Sequence, residues 1–144
     1  MSTDSQVQGG TSGGAPREPF RADSLAASLT VKGIRASTSW YRDVMGFSVE
    51  REMQRDGKLA SVRLTAGDVR ILLNQDDGSK GMDRVKGEGM SLMFTTAQSV
   101  DALAASIRAH GGTLVSEPAD MPWGARVFRL QDPDGYRFAI SQER

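Results

Sequence analysis

The sequence predicts an α+β fold: two βαβββ repeats whose curved mixed sheets surround a cleft, with the helices outside. Three observations carry this. Segments of apolar alternation with period two mark strands, a stripe of helical spacing follows the first strand of each series, and the whole order recurs about 65 residues further on. A lone βαβββ unit leaves one sheet face bare, because its single helix covers only the other; two units can pair those faces.

The first series opens with Leu25, Ala27, Leu29 and Val31 alternating with Ala26, Ser28, Thr30 and Lys32, a half-buried strand stopped by Gly33. Ile34, Ser37, Tyr41 and Val44 follow at helical spacing, and Gly46 suits a helix C-terminus. Strands are expected over Phe47–Gln54, Leu59–Thr65 and Val69–Gln75, separated by turns at Asp56-Gly57 and Gly67-Asp68. Asp76–Glu88 is polar, aperiodic and carries three glycines, so it reads as a connecting loop.

In the second series Met90, Leu92 and Phe94 alternate with Ser91, Met93 and Thr95. Ser99 is placed to cap a helix with a buried stripe of Val100, Leu103, Ala104 and Ile107, which Gly111 ends. Thr113–Ser116, Ala125–Leu130 and Tyr136–Ser141 supply the last strands. Between the final two, Asp132-Pro133-Asp134-Gly135 makes a tight turn, with proline setting an early dihedral and glycine admitting positive φ at the end.

The chain has 144 residues and 38% hydrophobic content, enough for one ordinary core. We expect a flexible tail over residues 1–22, poor in anything that burial could reward, and one domain over 23–144 with repeats spanning 24–75 and 89–142. Eighteen basic and eighteen acidic side chains cancel, so no overall field draws the protein to nucleic acid or an anionic membrane. The chain has no cysteine, which rules out disulfides and thiolate chemistry and fits a cytoplasmic location. No run approaches the ~20 apolar residues of a membrane span.

Alternation also assigns faces, since a one-residue slip would turn every side chain of a strand over. With Leu29, Ile71, Phe94 and Ile140 toward the helices, the cleft receives Ala26, Ser28 and Thr30; Arg70, Leu72 and Asn74; Ser91, Met93 and Thr95; Arg137, Ala139 and Ser141. That set contains no His, Cys, Asp or Glu, so it cannot converge ligands on a catalytic metal. The single histidine, His110, falls in the last turn of the second helix, where an imidazole meets the helix dipole favourably.

The helix Ser39-Trp40-Tyr41-Arg42-Asp43-Val44-Met45 running into Gly46-Phe47, together with Trp123-Gly124 and the Asp132–Gly135 turn, resembles the vicinal oxygen chelate superfamily, which includes glyoxalase I, extradiol dioxygenases and bleomycin-resistance proteins. The likeness covers nearly all of Ser24–Arg144 and implies the two-repeat fold and a homodimer. Metal-dependent members carry His or Gln on the opening strand of each repeat and Glu on the closing one. The positions matched here are Ala26, Leu72, Ser91 and Ala139, and neighbouring residues supply no ligand either. The resemblance is therefore to metal-free, bleomycin-resistance-like members, with no cofactor.

The leading functional expectation is metal-independent binding or sequestration of a small aromatic or amphipathic molecule, with antibiotic resistance as one consequence. Its ligand-binding residues would be Ser28, Thr30, Leu72, Ser91, Met93, Trp123, Arg137 and Ala139. Trp123 suits an aromatic pocket wall or a loop anchor; Arg70 and Arg137 suit an acidic ligand group or a solvated strand end. The facing of Arg126 and Phe128 stays open, because a bulge near the turn would invert it. The alternatives are a metal-free isomerase or lyase in which Glu50 or Arg137 assists proton transfer, and a module acting only in protein association. No catalytic residue is assigned.

Overall fold

A computed structural model describes residues 16–143. Its order is β1 (Ala26–Val31), α1 (Ile34–Ser39) continued by a wider turn over Trp40–Val44, β2 (Ser48–Arg55), β3 (Lys58–Ala66), β4 (Val69–Gln75), β5 (Ser91–Thr96), α2 (Val100–Ala109), β6 (Leu114–Asp120), β7 (Arg126–Gln131) and β8 (Arg137–Gln142). Each repeat forms a four-stranded mixed sheet, β1-β4-β3-β2 and β5-β8-β7-β6, in which the first and last strands pair in parallel. The α+β class and the two βαβββ units are as the sequence predicts. Most of the expected tail lies outside the described residues; residues 16–22 have no regular structure and Phe20 is exposed.

The two repeats use the same local device to start their helices. Gln75, last in β4, accepts a hydrogen bond from the Ile34 amide (3.0 Å), and Gln142, last in β8, accepts one from the Val100 amide (3.1 Å). Each satisfies a backbone donor that the first helical turn cannot. In α2 Ser99 adds the expected cap, accepting from the Ala102 amide. The first helix departs from the regular period that Ile34, Ser37, Tyr41 and Val44 predict: the Met45 amide reaches back to the Trp40 carbonyl (3.2 Å), a spacing of five residues. Gly46, at φ 87°, then turns the chain into Phe47, whose amide bonds to the Tyr41 carbonyl (2.9 Å).

The second strand of the second repeat, β6, runs to Asp120, further than the alternation indicates, because its irregular pairing with β7 accommodates Pro118. Leu25 is exposed, and β1 begins one residue later.

Each helix packs on the face of its own sheet, and those faces merge into one core. Leu29, Val31, Val62, Leu64, Ile71 and Leu73 of the first repeat join Val100, Ile107, Phe128, Leu130, Phe138 and Ile140 of the second. Aromatic rings bridge the repeats: Tyr41 lies edge-on to Phe138 (6.0 Å between centroids) and Phe47 meets Phe94 at an angle (6.2 Å), while Phe94 stacks on Phe138 within the second repeat (5.5 Å). Gly112 serves the same junction, since a Cβ there would come within 2.6 Å of Val44 and 2.5 Å of Ile107.

The Asp132–Gly135 turn is a second tie between the repeats. Asp132 accepts the Asp134 and Tyr136 amides on Oδ1 (2.9 and 2.8 Å) and the Tyr41 hydroxyl on Oδ2 (2.7 Å). Burial pushes the Asp132 carboxyl above its ordinary range, against the pull of the Tyr41 hydrogen bond, and burial followed by the Asp132 charge pushes the Tyr41 phenol up. Asp134 accepts the Lys32 amide (2.8 Å), and the Tyr136 hydroxyl donates to the Thr30 carbonyl (2.8 Å). The loop after β4 closes the tie: Lys86, 8% exposed, sits 3.2 Å from Asp76 and 3.9 Å from Asp134. The Gly78 amide and then Lys86 hold the Asp76 carboxyl below its ordinary range.

Candidate functional site

The faces turned away from the helices are open on the first sheet and partly covered on the second, where Val127, Ala139 and Ser141 are buried, and strand register shows what each presents. Parallel pairing puts Ala26 beside Arg70, Ser28 beside Leu72 and Thr30 beside Asn74. In the second sheet Ser91 lies beside Arg137, Met93 beside Ala139 and Thr95 beside Ser141. The sequence-derived face assignment therefore holds on all four strands, with Leu29, Ile71, Phe94 and Ile140 on the helix side.

The rows extend across each sheet. The central row of the first reads Ser28, Leu72, Arg63, Arg51, and that of the second reads Met93, Ala139, Arg129, Ser116. Arg63 and Arg129 thus occupy equivalent places in the two repeats, and Arg70 and Arg137 do the same one row along. Sequence reasoning singled out Arg70 and Arg137 but missed the other pair. For Arg63 the signal was present, because Val62 and Leu64 alternate with it. For Arg129 it depended on the facing of Phe128, which the structure settles: Phe128 joins the main core, so Val127 and Arg129 face the open side. Arg126 faces α2 instead, donating to both Asp101 oxygens (2.8 and 2.9 Å) and to Asp120 (3.2 Å); the Asp101 and then the Asp120 hydrogen bonds push its pKa up.

The two faces differ in polarity. On the first, the Asn74 amide donates to Ser28 (2.8 Å) and the Ser61 hydroxyl to Asn74 (3.1 Å), a polar ladder across three strands. Beside it Ala26, Arg63, Arg70, Ile71 and Leu72 line a depression of about 250 Å³. On the second, Ala125, Val127 and Ala139 form a small apolar cluster capped by Met121. Ala139 is consequently 3% exposed, whereas its neighbour Met93 is 55% exposed. Trp123, 63% exposed, stands in the loop after Met121, which is closed by bonds from the Met121 amide to the Ala125 carbonyl (2.7 Å) and from the Gly124 amide to the Met121 carbonyl (3.0 Å).

The remaining sequence candidates fall away from these faces or are engaged. His110 turns its Nδ1 to the Ser106 carbonyl (2.8 Å) at the end of α2. Glu50, beside the bulge in β2, lies 3.6 Å from Arg63. Trp40 is partly buried, edge-on to Tyr41 at 4.9 Å.

Two comparisons bear on this geometry. The profile of the Glyoxalase/Bleomycin resistance protein/Dioxygenase superfamily matches residues 22–140. The chain belongs to this superfamily. Among solved structures it is similar to TioX from Micromonospora sp. ML1 (TM-score 0.70, 17% identity, covering 85% of this chain and 100% of that one). It is also similar to TnmS3, an antibiotic binding protein from Streptomyces sp. CB03234 (0.70, 18%, 88% and 100%), and to a superfamily member from Sphaerobacter thermophilus DSM 20745 (0.70, 22%, 85% and 98%). A search of curated proteins finds no match.

Many members of the superfamily hold a metal, and the residues present here do not fit one. Ala26, Leu72, Ser91 and Ala139 offer no imidazole or carboxylate, and among the described residues no three of His, Cys, Asp or Glu are grouped to ligate an ion. No helix among the described residues is long and apolar enough to cross a membrane.

Proposed function

We propose that this superfamily member binds and sequesters a small aromatic or amphipathic molecule against its open sheet faces, without a metal and without covalent change. The observation that carries this reading is what stands on the open faces at the positions matched to the ligands of chelating members: Ala26 and Leu72 in one repeat, Ser91 and Ala139 in the other. Such a surface offers shape, apolar contact and a few hydrogen bonds, which suffice for affinity and supply no Lewis acid. The antibiotic-binding TnmS3, which shares the fold, supports the same reading, with antibiotic resistance as one consequence.

The ligand would contact Ser28, Thr30, Leu72, Ser91, Met93, Arg137 and Ala139, with Trp123 as an aromatic wall. A homodimer in the cytoplasm is part of the proposal: Met93 and Trp123 stand exposed on the second sheet, and a second copy would enclose a ligand there.

Two measurements test it. Thermal-shift screening against planar aromatic, quinone and glycopeptide compounds should find stabilising ligands that quench Trp123, with affinity reduced in Trp123→Ala. Equilibrium dialysis should show no stoichiometric binding of zinc, nickel, manganese or iron; tight binding of any of these would sink the metal-free reading. Light scattering would test the dimer.

A further inference from the structure

We infer that the ligand is an anion: an organic molecule with a carboxylate or phosphoryl group that seats against the paired arginines of the open faces. This rests on the small-molecule reading above and narrows it to a charge class.

The whole chain is electrically balanced, with eighteen basic and eighteen acidic residues. Its open faces are not. The strand rows described above contain Arg51, Arg63 and Arg70 on the first sheet and Arg129 and Arg137 on the second, against which stand two carboxylates, Glu50 3.6 Å from Arg63 and Glu143 bonded to the Ser141 hydroxyl. Arg51 and Arg63 are direct cross-strand partners, a like-charge pairing that Glu50, beside Arg63 alone, offsets only in part. Among the described residues Arg51, Arg70, Arg129 and Arg137 have no hydrogen-bonding or ion-pair partner, and Arg63 has only Glu50 at 3.6 Å. This contrasts with Arg126 on the helix side, which is held by two carboxylates.

Arg63 and Arg70 also share a concave place, the depression of about 250 Å³ that Leu72 floors. Guanidinium forks match carboxylate and phosphate oxygens in bidentate geometry, and apolar surface beside them raises the strength of each charge-assisted bond. The apolar side of such a ligand would find Ala26 and Leu72 in the same depression. Recurrence of both arginine positions in the second repeat supplies an equivalent place for a second acidic group.

The test is isothermal titration of the full-length protein with three probes that share one ring system: 2-naphthoate, 2-naphthyl phosphate and neutral 2-naphthamide. The two acids should bind at least about tenfold more tightly than the amide, with an advantage that shrinks as salt is raised. In an Arg63→Gln/Arg70→Gln variant the advantage of the acids over the amide should fall below about threefold. Retained far-UV circular dichroism and urea midpoint would show that the variant is folded, as both side chains are on the surface. Relative affinity of the two acids separates a carboxylate from a phosphoryl ligand. Equal binding of amide and acids would overturn the anion inference and leave the small-molecule reading standing. If none of the probes bound, or a twelve-nucleotide single strand bound more tightly than any of them, both would fall.

Discussion

The junction between the repeats and the open sheet faces use the same residue types to opposite ends. At the junction the charges lie against partners: Asp132 accepts three hydrogen bonds, Asp134 takes the Lys32 amide, and Lys86 lies against two carboxylates, although Asp76 Oδ2 accepts no hydrogen bond. On the open faces, arginines at matching positions of the two repeats project, and of these only Arg63 has a carboxylate beside it, Glu50 at 3.6 Å. Burial explains the contrast. An unpaired charge at the junction would carry its full desolvation cost, whereas a guanidinium at the surface keeps its water until a ligand arrives. The junction should therefore govern stability and the open faces binding.

Substitutions at the junction give the largest expected effect. Phe138→Ala removes the ring that Phe94 stacks on and Tyr41 meets edge-on, and should cost about 3–5 kcal/mol in urea unfolding. A cost under about 1 kcal/mol would mean that the repeats do not share a core.

Next comes Tyr41→Phe, which keeps the ring but takes the donor from buried Asp132. It should lose about 1–3 kcal/mol, while Phe47→Leu would probe the packing at the same place.

Acid titration separates the two junction carboxylates by sign. Asp76 is held below its ordinary pKa, so it stabilises the fold above that value, and this is lost as pH falls through the folded one. Asp132 is raised, so its protonated form is favoured by folding, and stability is lost as pH rises from the ordinary value through the raised one. Urea midpoints between neutral pH and the carboxylate range should then fall less in Asp76→Asn than in wild type and more in Asp132→Asn. The same order for both variants would contradict the assigned environments.

The smallest stability effects belong to the open faces. Met93→Ser and Arg70→Gln should shift unfolding by no more than about 0.5 kcal/mol while weakening ligand binding. A large loss of stability in either would move that residue from the binding surface to the framework.

Much of the framework was legible in the chain. Alternation in Leu25–Lys32 and Met90–Thr95 fixes which side chains face the helices, because a strand turns over with every residue. The Ser99 cap and Gly46 and Gly111 place the helix ends to within a residue or two. The widened turn at Trp40–Val44 was not legible, since Ile34–Met45 keeps an ordinary helical period and what alters it is the packing of Tyr41 and Val44 against the second repeat. Nor was the role of Lys86, which sits in a loop with no periodicity and meets a turn far along the chain.

For this protein, sequence alone determined the elements, their buried faces and the twofold internal repeat. These depend on local period and residue identity, which a linear string carries in full. Only the tertiary structure decided that Asp132 reaches Tyr41, that Arg63 lies in the same row as Leu72 and that Phe128 turns inward. Those are matters of register and docking between distant segments, set by bulges, turn lengths and the shared core, and no local pattern encodes them.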